Sequence, residues 1–256
     1  MASQDSIQKT LTVALLLCFV CSVIVSAAAV ILRPMQEQNK DLDKKKNILL
    51  AAGLYQESVS VEEQFSAIQT RIVDLSTGLF VDVEDANAFD QRKAAKDPAT
   101  SQALDGSVDI AKISRRENQA VVYIVESDSE FDKIILPVHG YGLWSTLYGF
   151  VALESDLNTI AGLGFYDHGE TPGLGGEIDN PRWKAFWPGK QVYKDGAVAI
   201  EVIKGSVMSG SANASYQVDG LSGATLTSRG VSNLLSFWMG ENGFQTFLSN
   251  LKSGSA

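Results

Sequence analysis

Thiols are almost missing from this chain. Its two cysteines, Cys18 and Cys21, both lie in an apolar N-terminal run, so nothing after Cys21 can form a disulfide, a zinc thiolate site or a thiol nucleophile. A thiol-free domain tolerates an oxidising compartment. Cys18-x-x-Cys21 has the spacing of a redox pair, but two small apolar residues in a membrane helix are the plainer reading. Histidine is as scarce: His139 and His168 are the only two, with no further ligand cluster and no G-x-S-x-G elbow. Metal and Ser–His hydrolase chemistry are therefore set aside, and no catalytic residue or metal ligand is assigned. No block of basic residues exists either. Lys and Arg number 21 against 30 Asp and Glu, for a net charge of −9, which excludes a phosphate-neutralising nucleic-acid binder. The phosphate-binding patterns ending in Gly-Lys-Ser/Thr or built on G-x-G-x-x-G are absent, as are internal repeats and low-complexity tracts.

One long apolar run is present. "LTVALLLCFVCSVIVSAAAVIL", residues 11–32, is uncharged and about the 20 residues a spanning helix needs. Ala27-Ala28-Ala29 is a plausible signal-peptide cleavage site. The run exceeds a signal core of about 7–15 residues, however, and continues past the alanines to Leu32, which favours an uncleaved anchor. No second run of this length follows, so a single-pass chain with one large aqueous domain is expected. Lys9 precedes the run, whereas Arg33, Lys40 and Lys44 to Lys46 follow it. The positive-inside rule taken alone keeps the large domain in the cytoplasm.

The pattern predicts a tail over 1–10, the transmembrane helix over 11–32 and a helical stalk over 33–53. Residues 54–118 form the first part of the aqueous domain and 119–256 the second. Val61, Phe65 and Ile68 suggest a short amphipathic helix, and "RIVDLSTGLFVD" two strands around a turn. Residues 84–118 carry no clear signal. Strands are expected at 120–126, 133–138, 146–154, 159–167 and 197–203, the first four closely spaced and hence antiparallel. "NPRWKAFW" suggests a short helix. Val231, Leu234, Leu235 and Trp238, then Phe244, Phe247, Leu248 and Leu251, mark two C-terminal helices. The fold class is α+β, a mainly antiparallel sheet with flanking helices behind one N-terminal membrane helix.

Three stretches could carry chemistry. "DGLSGATLTS", 219–228, crowds hydroxyls among small residues where a helix begins near Thr225. Ser222 is a candidate N-cap, and Asp219 and Gly220 make the turn before it. Free N–H groups and the positive helix end favour an anion there, with Gly223 and Ala224 leaving room for it. Ordinary capping explains the same residues. "DHGETPGLGGEIDNP", 167–181, is dense enough in glycine to admit a ligand close to the backbone, or is a long turn. "HGYGLWSTLYGF", 139–150, sets Tyr141 and Trp144 where they could stack on a planar ligand, or pack in the core.

"DGLSGAT" matches the D-G-x-[ST]-G-A-T flavinylation motif, and the chain resembles the FMN-binding domain family. "LPVHGYGLWSTLYGFVALE" and "GETPGLGGEIDNPRWKAFWPGK" make it similar, over nearly its whole length, to the C-subunit family of bacterial sodium-translocating NADH:quinone oxidoreductases. The resemblance implies FMN joined through its phosphate to the Thr225 hydroxyl by a flavin transferase. Ser222, Gly223 and Ala224 would shape the turn, and Thr227 would contact the phosphate. Glu170, Thr171, Leu174, Gly175, Leu143 and Trp144 would line the flavin, and Lys204 would meet the phosphate or the ring. The implied role is an electron relay, in a complex with other subunits and membrane lipid, that helps couple quinone reduction to sodium export. It also implies a bacterial inner-membrane location with the large domain periplasmic, against the charge count; we side with the resemblance. The G subunit of the Rnf electron-transport complex shares the motif and the anchor. A membrane-anchored scaffold whose "SGAT" only caps a helix is the non-redox alternative.

Overall fold

The computed structural model describes residues 6–127, 130–208 and 210–256. The chain divides into two units, Met1–Lys44 and Lys45–Ala256. Helix α1, Ile7–Ala51, runs through the first unit into the second. Among the described residues it is the one helix long and apolar enough to cross a membrane, with a mean hydropathy of 2.9 in its apolar window and none of that window buried.

The second unit is built on a six-stranded sheet in the order β2-β1-β5-β6-β7-β8. The strands are β1 (Ile68–Asp74), β2 (Leu79–Val81), β5 (Gln119–Ser127), β6 (Glu130–Tyr141), β7 (Thr146–Glu154) and β8 (Ile160–Asp167), and every neighbouring pair is antiparallel. The sheet thus takes strands from both sides of residue 118. Short pieces fill 84–118: helix α3 (Gln91–Lys96) and the pair β3 (Ser101–Ala103) and β4 (Arg115–Glu117).

Both faces of the sheet are covered, so its strands are apolar on both sides. Val122 and Ile124 of β5 face one core, with the C-terminal helices α5 (Thr225–Trp238) and α6 (Gln245–Ser253). Val121, Tyr123 and Val125 face the other, with Ile48, Leu49 and Ala51 from the end of α1. The period-2 alternation of a strand makes this division. Val231, Leu234, Leu235 and Trp238 form the buried stripe of α5, each aliphatic side chain contributing about 1.5–3 kcal/mol through burial. The small helix α2 (Val61–Phe65) packs on the α1 side through Phe65.

Two expected elements differ. Ile68 begins β1 instead of closing a helix, because it pairs with Val125 of β5. The single strand expected at 197–203 is two short ones, β10 (Ala197–Val198) and β11 (Glu201–Val202). β10 pairs back on β9 (Tyr193–Lys194), while β11 pairs in parallel with the distant β12 (Gln217–Val218). Two different partners break the run. Helix α4 (Pro181–Lys184) is short and capped by Asn180, whose side chain accepts from Arg182 N–H.

Candidate functional site

Three connections meet at the N-terminal end of α5. The β6–β7 hairpin closes with Tyr141 opposite Thr146, so Leu143 and Trp144 lie in its turn. The Gly-rich loop leaves β8 after Asp167. The "DGLSGAT" stretch leaves β12 and enters α5 at Thr225.

Helix α5 starts without side-chain capping. Its N-cap is Ala224, and Ser222 is exposed, which corrects the expected Ser222 cap. The nearby Ser228 hydroxyl instead accepts the Leu221 N–H at 3.0 Å, drawing the turn back onto the helix. Among the described residues no acceptor faces the N–H groups of Thr225, Leu226 and Thr227. Thr225 itself is exposed. An exposed hydroxyl beside free N–H groups at the positive end of a 14-residue helix suits a phosphoryl group.

Beside Thr225 lies a cleft of about 260 Å³, lined by Lys204, Gly220, Ser228, Arg229 and Ser232 among others. The parallel β11–β12 pairing makes it. Ile203 N–H donates to Val218 O and Gly220 N–H to Gly205 O, which brings Lys204 alongside the motif. Lys204 and Arg229 are exposed, and neither forms an ion pair among the described residues. Arg229 went unassigned in the sequence, although it stands four residues after Thr225 on one helix face. Asp219 is half-buried and structural: its carboxylate accepts from Val207 N–H and its carbonyl from Trp183 Nε1, both at 2.8 Å.

On the other side the connections are tied by one side chain. Glu170 is 5% exposed. Its Oε1 accepts from the N–H groups of Leu143 (3.0 Å), Trp144 (2.9 Å) and Ser145 (3.3 Å), and its Oε2 from the Thr227 hydroxyl at 2.6 Å. Burial alone would raise its pKa, but these donors, the Thr227 hydroxyl foremost, outweigh burial and hold it below the ordinary carboxylate value. The Ser145 hydroxyl returns the tie by accepting Gly169 N–H. Glycine makes room for the carboxylate. A Cβ added at Gly142 would lie 2.6 Å from Glu170 Oε1, and one at Gly175 would lie 2.6 Å from both Glu170 Oε2 and Thr227 Oγ1.

Two expectations change here. Thr227, expected as a phosphate contact, is wholly buried with its hydroxyl committed to Glu170. Glu170, expected to line the ligand, turns both oxygens to protein donors. By contrast Leu143, Trp144 (66% exposed) and Leu174 are exposed, and so is Leu226, which the sequence left unassigned. Leu174 borders the motif, since a Cβ on Gly223 would sit 3.0 Å from its Cδ2. Thr171 is exposed, and its carbonyl accepts from Leu174 and Gly176 N–H within the loop. The residues present fit a flavin mononucleotide: free N–H groups and two cations for a phosphoryl group, exposed apolar side chains for a planar ring.

Comparison with known proteins agrees. The family described as FMN-binding domain matches residues 142–240, the segment holding all three connections. The chain is 56% identical, over the full length of both, to the C subunit of the Na(+)-translocating NADH-quinone reductase of Pseudomonas aeruginosa. It is 52% identical to the C subunit of the same reductase from Vibrio anguillarum, covering 99% of this chain and 98% of the relative. The crystal structure of Shewanella oneidensis NqrC superposes with a TM-score of 0.77 at 39% identity, covering 85% of this chain and 99% of that one. The crystal structure of the C subunit from Parabacteroides distasonis gives 0.66 at 33% identity, covering 85% and 97%. Full-length similarity of this order favours the C subunit over the Rnf G subunit, and the chain belongs to the C-subunit family of Na(+)-translocating NADH-quinone reductases.

Proposed function

We propose that this chain carries FMN covalently, as a phosphoester on Thr225, and relays electrons between redox centres of a sodium-translocating NADH–quinone reductase. The observation that carries this reading is the placement of the motif threonine: exposed, at the first turn of α5, beside unpaired N–H groups and the Lys204–Arg229 cleft. FMN supplies the electron-accepting and electron-donating chemistry when bound. The chain supplies attachment and orientation. The helix end and the two cations offset phosphoryl charge, and Leu143, Trp144, Leu174 and Leu226 offer apolar surface to a ring. A covalent link removes cofactor loss from the cycle and fixes the ring's position, as electron transfer between fixed centres requires.

In this reading a flavin transferase modifies the chain, α1 anchors it in the inner membrane, and the other subunits flank it with the large domain on the periplasmic side. The assembled complex couples quinone reduction to sodium export.

The test is an intact mass of the full chain co-produced with a flavin transferase. The expected result is an added FMN less one water, mapped to the peptide containing Thr225. Thr225→Ala is expected to lose the covalent flavin and to keep its fold, since it removes one exposed hydroxyl that caps nothing. A Thr225→Ala protein that still holds flavin after denaturation overturns the assignment.

A further inference from the structure

We propose that Glu170 is the positioning residue of this site, a clasp that sets where the turn bearing Leu143 and Trp144 stands relative to the helix end bearing Thr225. This rests on the flavin reading above and goes beyond it, because it moves Glu170 from the lining of the cofactor to its alignment. The clasp joins segments far apart in sequence: the Thr227 bond spans 57 residues, and the bond to Leu143 spans 27. The Ser145 hydroxyl ties the turn to the Gly-rich loop and Gly230 packs on the Tyr141 carbonyl, but among the described residues Glu170 is the one side chain that bonds both the turn and helix α5. Leu143, Trp144 and Leu174 are exposed, so they do not anchor their loops in the core. Gly142, Gly169, Gly173 and Gly175 give those loops few side chains to pack. One buried carboxylate with four protein donors joins the Gly-rich loop, the hairpin turn and helix α5 at a single point.

The site separates two tasks along one helix turn. Thr225 faces outward and Thr227 inward, and only Thr227 touches the clasp. A shift of the carboxylate therefore moves the apolar turn and the attachment point relative to each other without touching the attachment hydroxyl. The fixed ring geometry that electron transfer needs would be lost while the covalent bond persists.

The chemistry of the clasp makes the prediction sharp. In Glu170→Gln the amide oxygen can still accept from the three backbone N–H groups, and its NH2 can donate to a Thr227 hydroxyl that rotates to accept. Glu170→Ala removes every acceptor. The experiment uses the full-length chain with and without attached flavin. Backbone amide exchange of residues 143–145 is read in the flavin-free protein, and the visible circular dichroism of the flavin in the loaded protein. Glu170→Ala is expected to speed exchange at these amides by on the order of tenfold or more, since their acceptor is gone. It is also expected to change the flavin dichroism at full flavin occupancy by mass. Glu170→Gln is expected to restore most of both. Thr227→Val, which removes one of the four donors, is expected to change the dichroism in the same direction and carries the test if Glu170→Ala does not fold.

Unchanged exchange in Glu170→Ala overturns the clasp. Faster exchange with wild-type flavin dichroism, in Glu170→Ala or Thr227→Val, overturns its role in cofactor alignment. An unflavinylated wild-type chain overturns the functional reading itself, and mass detects that before any variant is compared.

Discussion

Glu170 and Glu117 are both buried glutamates, 5% and 0% exposed, and they sit in opposite electrostatic surroundings. Glu170 has a donor for each lone-pair direction it uses: three backbone amides and the Thr227 hydroxyl. Glu117, at the end of β4, has Gln91 Nε2 on one oxygen and, among the described residues, no hydrogen-bond partner on the other. That second oxygen lies 4.0 Å from Nε2 of His139. Burial dominates at Glu117 and pushes its pKa up to about 7, despite the neighbouring Arg116. At Glu170 burial is outweighed and the pKa falls. The number of donors, more than the depth of burial, decides which carboxylate stays charged. The donor-rich one stands at the site, and the other lies beside His139, whose carbonyl accepts from Trp238 Nε1.

The same substitution at the two positions should act with opposite sign. At pH 8, Glu170→Gln should destabilise the full chain by about 1–3 kcal/mol, because bonds to an ionised acceptor are about twice as strong as those to a neutral one. Glu117→Gln at pH 8 should stabilise it, because it removes a buried charge with one oxygen unpartnered. Chemical unfolding in detergent measures both. Two shifts of the same sign would break the comparison.

A smaller effect lies in the pH dependence. Glu117 binds its proton more tightly folded, with a pKa of about 7, than unfolded, near 4.5; between those values the unfolded chain holds fewer protons, so stability falls as pH rises. His139 behaves in reverse. Burial first, then the nearby Arg92, lowers its pKa from 6.5 to about 4, with Asp109 acting the other way, so stability rises with pH across that window. In the wild type the two slopes oppose each other over much of the weakly acidic range. His139→Gln should expose the falling Glu117 slope and Glu117→Gln the rising His139 slope, each on the order of 1 kcal/mol per pH unit. Glu170, with its depressed pKa, adds stability present above its unfolded value and lost as pH falls through the folded one. Unfolding midpoints measured at half-unit steps from pH 4 to 8 separate Glu117 from His139; a flat profile in both variants would remove both from the account.

Elements with their own periodicity were legible in the sequence, and elements that depend on a distant partner were not. The stripe of α5 and the apolar runs of β5 to β8 declare themselves through spacing. Residues 84–118 do not, because α3, β3 and β4 are short and held from outside: Gln91 reaches Val121 N–H and Glu117, and Arg115 bonds Ser101. The break in 197–203 follows from parallel pairing with β12, which no local pattern records. At the site, the threonine motif and the Gly-rich loop were visible as sequence. Arg229 carries an i+4 spacing from Thr225, but that spacing alone assigns it no role. The Glu170–Thr227 bond was not visible, because nothing in either stretch refers to the other. Ser222 looked like a cap for the local reason that serines usually are, and Ser228 took the role of securing the turn through the fold.

Trp144 gives the smallest and most discriminating effect. It is 66% exposed, whereas Trp238 is fully buried against Phe237, Phe244 and His139. Trp238→Ala should cost about 3–5 kcal/mol, as loss of a large core side chain does. Trp144→Ala keeps the backbone N–H that Glu170 accepts and removes little packing, so its stability should stay within about 0.5 kcal/mol of wild type. If its side chain flanks the flavin, the same variant should still alter the fluorescence and visible spectrum of the attached cofactor. A Trp144→Ala protein that loses more than about 1 kcal/mol would make Trp144 a packing residue. One with both stability and flavin spectra unchanged would leave Leu143, Leu174 and Leu226 as the ring's apolar surface and move Trp144 outside the site.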